Sequence, residues 1–570
     1  MGSQDDFGSL QCWLKKEEVL QQERWLCNFQ YVHLWDCDCI VKLPLVFQSF
    51  NFLRGITIEN CPTVVSLPEV ELPSQLRSIE IRKCNALESF PETWMHINGT
   101  SLVRLFVEHC DSLTHIARCQ LPSSLESLSI GHCDSLQYIS GGQLPSSLEC
   151  LSIKHCGSLK DIAGGQLPSS LESLSIYKCD SLTNIARGQL PLNLKQLEIV
   201  YCNILQSLMY EENINSGSSE NSSLLEYLVI HNCRSLTSLF FETELPASLK
   251  HIDLRGCSKL ASLTSNGNLP MALKWLHIVN CSKLEAIAER CTDDTSLESI
   301  EIIDCQNLKF LPDDLHKCSH LQNISVSRCR SLGSFPDGGL PSAKLTDLYI
   351  YGCWKLKALP NQLHNLTSLE KLTIGMCPNT LSFPHDGFPT NLRSITIECV
   401  NICKPLLEWG LHRFTSLTSL QIGEGCSDTV SFPEIMLPTT LTDLWISGFP
   451  ELERLSFFAQ NHTSLLVLSL CRCPKLKYFP KKGLPLSLLT LYIINCPWLE
   501  QRMQMNNLRE LRVIPVDLSR CAFGTLSMDL SPVLLWLLLF VSLQVCLRNR
   551  SWGKHFWDFS ALVKASESIE

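Results

Sequence analysis

Apolar residues recur along most of the chain in one spacing, L-x-x-L-x-I-x-x-C-x-x-L-x-x-I, with polar residues between them. The pattern is clearest from Leu121 to Leu190. Near-identical copies begin at Leu121, Leu144 and Leu167, and another opens at Leu190-Pro191, a fixed period of 23 residues. Within Leu125-x-x-Leu128-x-Ile130 the period is two. That predicts a short strand with Leu128 and Ile130 inward and Ser127, Ser129 and Gly131 outward. The limb that follows carries Leu136 and Ile139 inward and ends at Gly141-Gly142 and Leu144-Pro145. Proline and glycine there favour turns or short 3-10 pieces over a full α-helix. One copy has too little apolar surface to close a core, so copies must stack on their neighbours.

The unit is that of a leucine-rich repeat. The expected fold is an α/β solenoid: a horseshoe of about 20 repeats, with a parallel sheet on its concave face and mostly irregular or 3-10 return limbs. The frame opens at Phe29 and runs to Leu488, twenty units in all. The segments are read as follows: an N-terminal cap or truncated end at 1–28, the solenoid at 29–498, a C-terminal cap at 499–520, and an apolar tail at 521–570. The polar stretch Met209–Ser223 reads as a loop bulging from the solenoid. Cys399 and Cys426 each sit one residue off the repeat's cysteine column, so irregular coils are expected there.

Composition narrows the function. A net charge of −10 offers no basic patch for a phosphate backbone, so nucleic acid is not an expected partner. Of the 30 cysteines, seventeen fill one column of the repeat, from Cys37 to Cys496. Val400, Gly425 and Phe449 fill the other three slots. Apolar replacements mark the column as buried. Parallel Cβ vectors about 4.8 Å apart suit disulfides poorly. Reduced thiols acting as small hydrophobes in a cytoplasmic protein are expected. The N-terminus lacks an apolar run behind a basic start, so no secretory signal is read there. Leu530–Leu547 is apolar over 18 residues, slightly short of the roughly 20 that a spanning helix needs. It is read either as a membrane-associated segment or as a spurious extension.

Catalytic and metal chemistry find little support. No G-x-x-x-x-G-K-[ST] loop occurs, so no cofactor is expected. His109, His132 and His155 each precede a column cysteine. Strand alternation would send the histidines and cysteines to opposite faces, so no metal is assigned. No Ser/His/Asp or paired-carboxylate spacing recurs, and the chain is read as a non-enzyme. The outward positions, the third, fifth and seventh of each unit, carry the functional signal. They are mostly small in the near-identical units and become large and varied further on. Tyr227, His251, Asp253, Trp275, His277, Glu301, Asp347, Tyr349, Tyr351, Trp445 and Tyr492 are therefore candidates for an exposed protein-binding face.

Three stretches carry a family resemblance: Cys110-Asp-Ser-Leu-Thr-His-Ile-Ala, Leu121-Pro-Ser-Ser-Leu-Glu-Ser-Leu-Ser-Ile and Cys329-Arg-Ser-Leu-Gly-Ser-Phe-Pro. With the close of the frame at Arg512-Val-Ile-Pro-Val-Asp, the chain resembles the C-terminal repeat region of plant coiled-coil nucleotide-binding leucine-rich-repeat resistance proteins. The resemblance covers roughly Trp25 to Asp517. It implies a role in plant innate immunity, sensing effectors and holding a nucleotide-binding switch inactive. The implied partner is a pathogen effector, a guarded host protein, or a nucleotide-binding (NB-ARC) domain supplied in trans. That switch and its phosphate loop are missing from this sequence. The alternative is the substrate-recognition subunit of a ubiquitin ligase, since F-box proteins also carry cysteine-containing repeats.

Overall fold

The computed structural model describes residues 29–505 and 512–513, apart from 38–49, 70, 96–100, 163–165, 188–189, 211–222, 241–244, 265–266, 292–294, 378–380, 382, 424–429, 433–436, 456–463 and 480–483. The chain divides into two units, Met1–Pro515 and Val516–Glu570. Every described residue belongs to the first. The proposed N-terminal cap, the apolar tail with Leu530–Leu547, Cys426 and most of the Met209–Ser223 loop lie outside the described residues.

The first unit is a parallel-strand solenoid built on one 21-stranded sheet. Strands pair in the order of the repeats, slot against identical slot. Leu128 pairs with Leu151 and Ile130 with Ile153, and in the next pair Leu151 meets Leu174 and Ile153 meets Ile176. The last full strand, Thr490–Ile494, pairs with the two residues Arg512–Val513. In-register pairing turns each inward position into a continuous buried row. In the unit that starts at Leu125, the side chains of Leu125, Leu128, Ile130, Cys133, Leu136 and Ile139 are all buried. Burying a leucine or isoleucine is worth about 1.5–3 kcal/mol, and each of these is covered only because a neighbouring coil lies on it.

Return limbs are mostly turns, as proline and glycine at their ends require. Two hydrogen-bonded turns recur along the array: Leu125 N donates to Pro122 O at 3.1 Å, and Leu136 N donates to Cys133 O at 3.1 Å. The serine just before the first leucine of the unit has a structural task that its polarity did not reveal. Ser124, Ser147 and Ser170 each donate a hydroxyl hydrogen bond, at 2.7–2.8 Å, to a leucine carbonyl of the coil before. Short 3-10 helices occur at Leu315–Lys317, Leu363–Asn365 and Leu411–Arg413. The irregularity expected after Cys399 is a ten-residue α-helix, Val400–Trp409, which buries Ile402, Cys403, Leu406 and Leu407.

The eighth slot of the unit is the chain's turning point. It is left-handed in nearly every coil, with φ of 56° at Asn232, 55° at Asn280, 58° at Asp304 and 65° at Gly256. Asn, Asp, His and Gly adopt this region most readily. Its N–H still reaches the next coil, as Asn232 N donates to Arg255 O at 2.6 Å. The strand therefore ends at the same residue in every repeat, and the ninth slot turns inward. There the thiols find acceptors. Cys257 Sγ approaches Ile230 O at 3.6 Å and Arg255 O at 3.7 Å. Burial pushes the Cys179 thiol up to about 12 and the Cys353 thiol up to about 11.

Two expectations follow. A β-branched residue in the left-handed slot, Asn280→Val, should lower stability by about 1–2 kcal/mol. Asn280→Gly should stay within about 0.5 kcal/mol of the parent; urea midpoints measure both. Iodoacetamide at pH 8 should alkylate Cys119 and Cys150, which are exposed, well before the buried column cysteines. Peptide mass spectrometry over time reads the order.

Candidate functional site

All eleven candidate residues lie on strands of the main sheet, at positions whose side chains leave the core. The structure sorts them into three groups. The largest spans the four strands Tyr227–His231, His251–Arg255, Trp275–Val279 and Ser299–Ile303. Register brings Tyr227 beside His251, His251 beside Trp275, Asp253 beside His277, and His277 beside Glu301. Tyr227, His251 and Trp275 form an aromatic row with ring centroids 6.1 Å apart at each step. Tyr227 and Trp275 are each 39% exposed.

Next to this row runs a charged one. Asp253 takes two hydrogen bonds from Arg255, Nε to Oδ1 and Nη2 to Oδ2, both at 2.9 Å. His277 Nδ1 lies 3.3 Å from Oδ1, and His277 Nε2 lies 3.4 Å from a Glu301 oxygen. His231 Nε2 stands 3.2 Å from Oδ2, an ion-pair approach without hydrogen-bond alignment. This corrects the expectation that Asp253 is part of the exposed face: it is only 8% exposed. The histidines of the two flanking strands and Arg255 of its own strand close over it. Burial by itself would raise the Asp253 carboxyl, but His231, His277 and Arg255 outweigh it and hold the group well below the usual carboxylate range. Burial favours the neutral form of His251. An aspartate held ionised by three bases positions His277 and Arg255. It does not exchange protons near neutral pH. His231 and Arg255, both seventh-slot residues, are not among the sequence candidates; their signal is Asp253, on Arg255's own strand and next to the strand of His231.

The second group is Asp347, Tyr349 and Tyr351 on one strand. Asp347 pairs with Lys371 at 2.9 Å, and the two tyrosine rings stack with centroids 5.9 Å apart. Tyr349 is 38% exposed, whereas Tyr351 is half-buried. The third group is Trp445 and Tyr492, also half-buried. They sit two strands apart, and their rings meet at 6.3 Å across the fully buried Ser469 between them.

The histidine column departs from the strand-alternation argument. His109, His132 and His155 occupy the left-handed slot, with φ of 50–53°, one residue beyond their strands. Alternation no longer applies there. Instead the rings stack at 4.2 and 4.1 Å with interplanar angles of 14° and 12°. One oxygen of Glu108 and one nitrogen each of His109 and His132 lie within 4.8 Å of one another. Parallel rings aim their lone pairs side by side, so one ring would have to leave the stack before both could hold a metal ion.

The Asp253 network makes a pH prediction. Its carboxyl has a lower pKa folded than unfolded. It therefore contributes stability above the unfolded value, about 4, and that stability is lost as pH falls further towards the folded value. Asp253→Asn should flatten the part of the acid destabilisation that begins below about pH 4, as read from thermal midpoints between pH 2 and 7.

Among the described residues, no helix is long and apolar enough to cross a membrane. No protein-family model matches the chain. An Arabidopsis thaliana protein described as a disease resistance protein is 32% identical over 114 residues, which is 20% of this chain and 8% of that protein. The chain thus spans a small part of the length of the relative it matches. Among solved structures, the circular leucine-rich-repeat protein CroV588 aligns over 88% of this chain and 97% of its own, at 15% identity and a TM-score of 0.25. The PEPR1–AtPEP1 structure aligns over 80% and 84%, at 17% identity and 0.30. A leucine-rich-repeat protein from Bacteroides ovatus ATCC 8483 aligns over 82% and 88%, at 16% identity and 0.26. Scores this far below 0.5 carry no inference about function. The repeat unit and the in-register parallel sheet make the chain a leucine-rich-repeat solenoid, an architecture that fits a protein-recognition role.

Proposed function

We propose that the chain is a non-enzymatic recognition solenoid of plant innate immunity, and that it grips another protein on the outward face of its sheet. The observation that carries the reading is the face between Tyr227 and Glu301. Half-exposed aromatic rings stand there next to a charged network held rigid by the sheet. Rigid aromatics lose little conformational entropy on binding, and residues of this kind dominate binding energy in protein interfaces. The network fixes the directions of Arg255 and His277, and that favours one charge pattern over others. The plant-defence setting rests on the repeat resemblance and on the short match to a disease resistance protein. In that setting the ligand is a pathogen effector, a guarded host protein or a nucleotide-binding domain supplied in trans. The absence of catalysis is part of the proposal. Asp253 is committed to His231, His277 and Arg255.

A two-hybrid screen with the full chain against pathogen effectors and plant nucleotide-binding domains tests this. For any interactor found, the triple variant Trp275→Ala, Tyr349→Ala, Trp445→Ala should weaken binding at least tenfold, since each anchor of this type costs about 1–3 kcal/mol. Circular dichroism should show an unchanged fold. Undiminished binding by the folded variant would remove this face from the function.

A further inference from the structure

The left-handed eighth slot holds a histidine in three consecutive coils, at His109, His132 and His155, with Lys83 before them and Lys178 after them. The main chain is fixed there. His109 N donates to Gly131 O at 2.9 Å, and His132 N donates to Lys154 O at 2.8 Å. The rings are carried at a set spacing and are held by stacking. Glu108, the seventh-slot residue before His109, pairs in register with Gly131. Its Cγ and Oε1 lie 3.4 and 3.6 Å from where a Cβ on Gly131 would stand, so its side chain runs along the array beside the residue that precedes His132. Glu108, His109 and His132 are each half-buried. Among the described residues, none of these three side chains makes a hydrogen bond or an ion pair. Among the described residues, no other group of histidine, cysteine, aspartate or glutamate side chains brings three ligand atoms within 4.8 Å of one another. Asp253 shows what a committed cluster looks like: Arg255 occupies both of its oxygens. Glu108 has no such base.

We propose that Glu108, His109 and His132 bind a zinc ion. Two neutral imidazoles and one carboxylate are a ligand set that zinc accepts, with water in the fourth place of the tetrahedron. Ligand atoms on one zinc stand about 3.4 Å apart, so these groups need to close by at most about 1.4 Å. Half-exposed side chains make that adjustment by turning about their own bonds, while the backbone hydrogen bonds of the slot stay in place. His109 ends the histidine stack and has one imidazole neighbour, so it is the ring that turns, and His132 remains against His155. The stacking contact given up is weak next to a metal–nitrogen bond. Lys83 and Lys178 are exposed, and their flexible stems keep the ammonium groups in water, away from the ion. The ion would clip two neighbouring coils together at the edge of the sheet. This inference does not depend on the reading of the sheet as a recognition face.

The full chain, purified without a histidine tag and with its thiols reduced, is titrated with zinc chloride near neutral pH, and calorimetry gives stoichiometry and affinity. One ion per chain is expected. His109→Asn and His132→Asn should each weaken binding at least about tenfold. Asparagine already fills this slot at Asn232 and Asn280, so both variants should fold, which circular dichroism checks. Glu108→Gln should weaken binding several-fold. Two controls should stay within about twofold of the parent: His385→Asn, at a fully exposed histidine elsewhere, and Cys119→Ser with Cys150→Ser, which removes the two exposed thiols. Cobalt in place of zinc should give a visible spectrum without thiolate charge-transfer bands. Failure of the parent to bind one ion, unchanged affinity in any of the three ligand variants, or loss of binding in the cysteine variant would overturn the site.

Discussion

Everything in this structure depends on identical slots pairing across neighbouring coils. A strand such as Ser127–Gly131 has only five residues and would not persist alone. Held between Arg104–Glu108 and Cys150–Lys154, it completes both of its ladders and buries Leu128 and Ile130 under their counterparts. A slip of one residue would turn each of those side chains to the other face. The left-handed eighth slot guards against this by ending every strand at the same point. The serine-to-leucine hydrogen bonds of the return limbs tie consecutive coils at a second place.

That constraint leaves three outward positions per coil free to vary, and their chemistry is made across strands. Asp253 shows this best. On its own strand it has Arg255, but what buries it and keeps it ionised also comes from His231 and His277 on either side. Glu398 shows a different case. Its side chain lies against the buried backbone of Gly375 and Gly423, with Tyr351 on the far side of Gly375, and takes a hydrogen bond from Gln421. Outward slots of one sheet thus hold a buried acid tied to three bases and a partly buried one hydrogen-bonded to a side-chain amide.

Several misreadings had a common origin. The alternation rule was carried one residue too far at His109, His132 and His155, where the backbone has already left the strand and the rings stack along the array. Asp253 faces outward and is nevertheless buried, because leaving the core side of the sheet does not by itself expose a side chain. Trp445 faces outward but is half-buried, and its ring stacks with that of Tyr492, a residue 47 positions further along the chain. A mixture of Asn, Asp, Gly and His recurs before the column cysteine. It was a legible sign of a left-handed turn.

Taken alone, the sequence determined the repeat, its inward rows, the parallel order of the strands and the set of positions that face away from the core. Those follow from local periodicity, because a residue's slot decides its side of the sheet. Only the tertiary structure decided which outward residues are open, which are covered and which are tied into a network. Exposure and ionisation depend on side chains one or two coils away, and no spacing within a single repeat records how those neighbours lean.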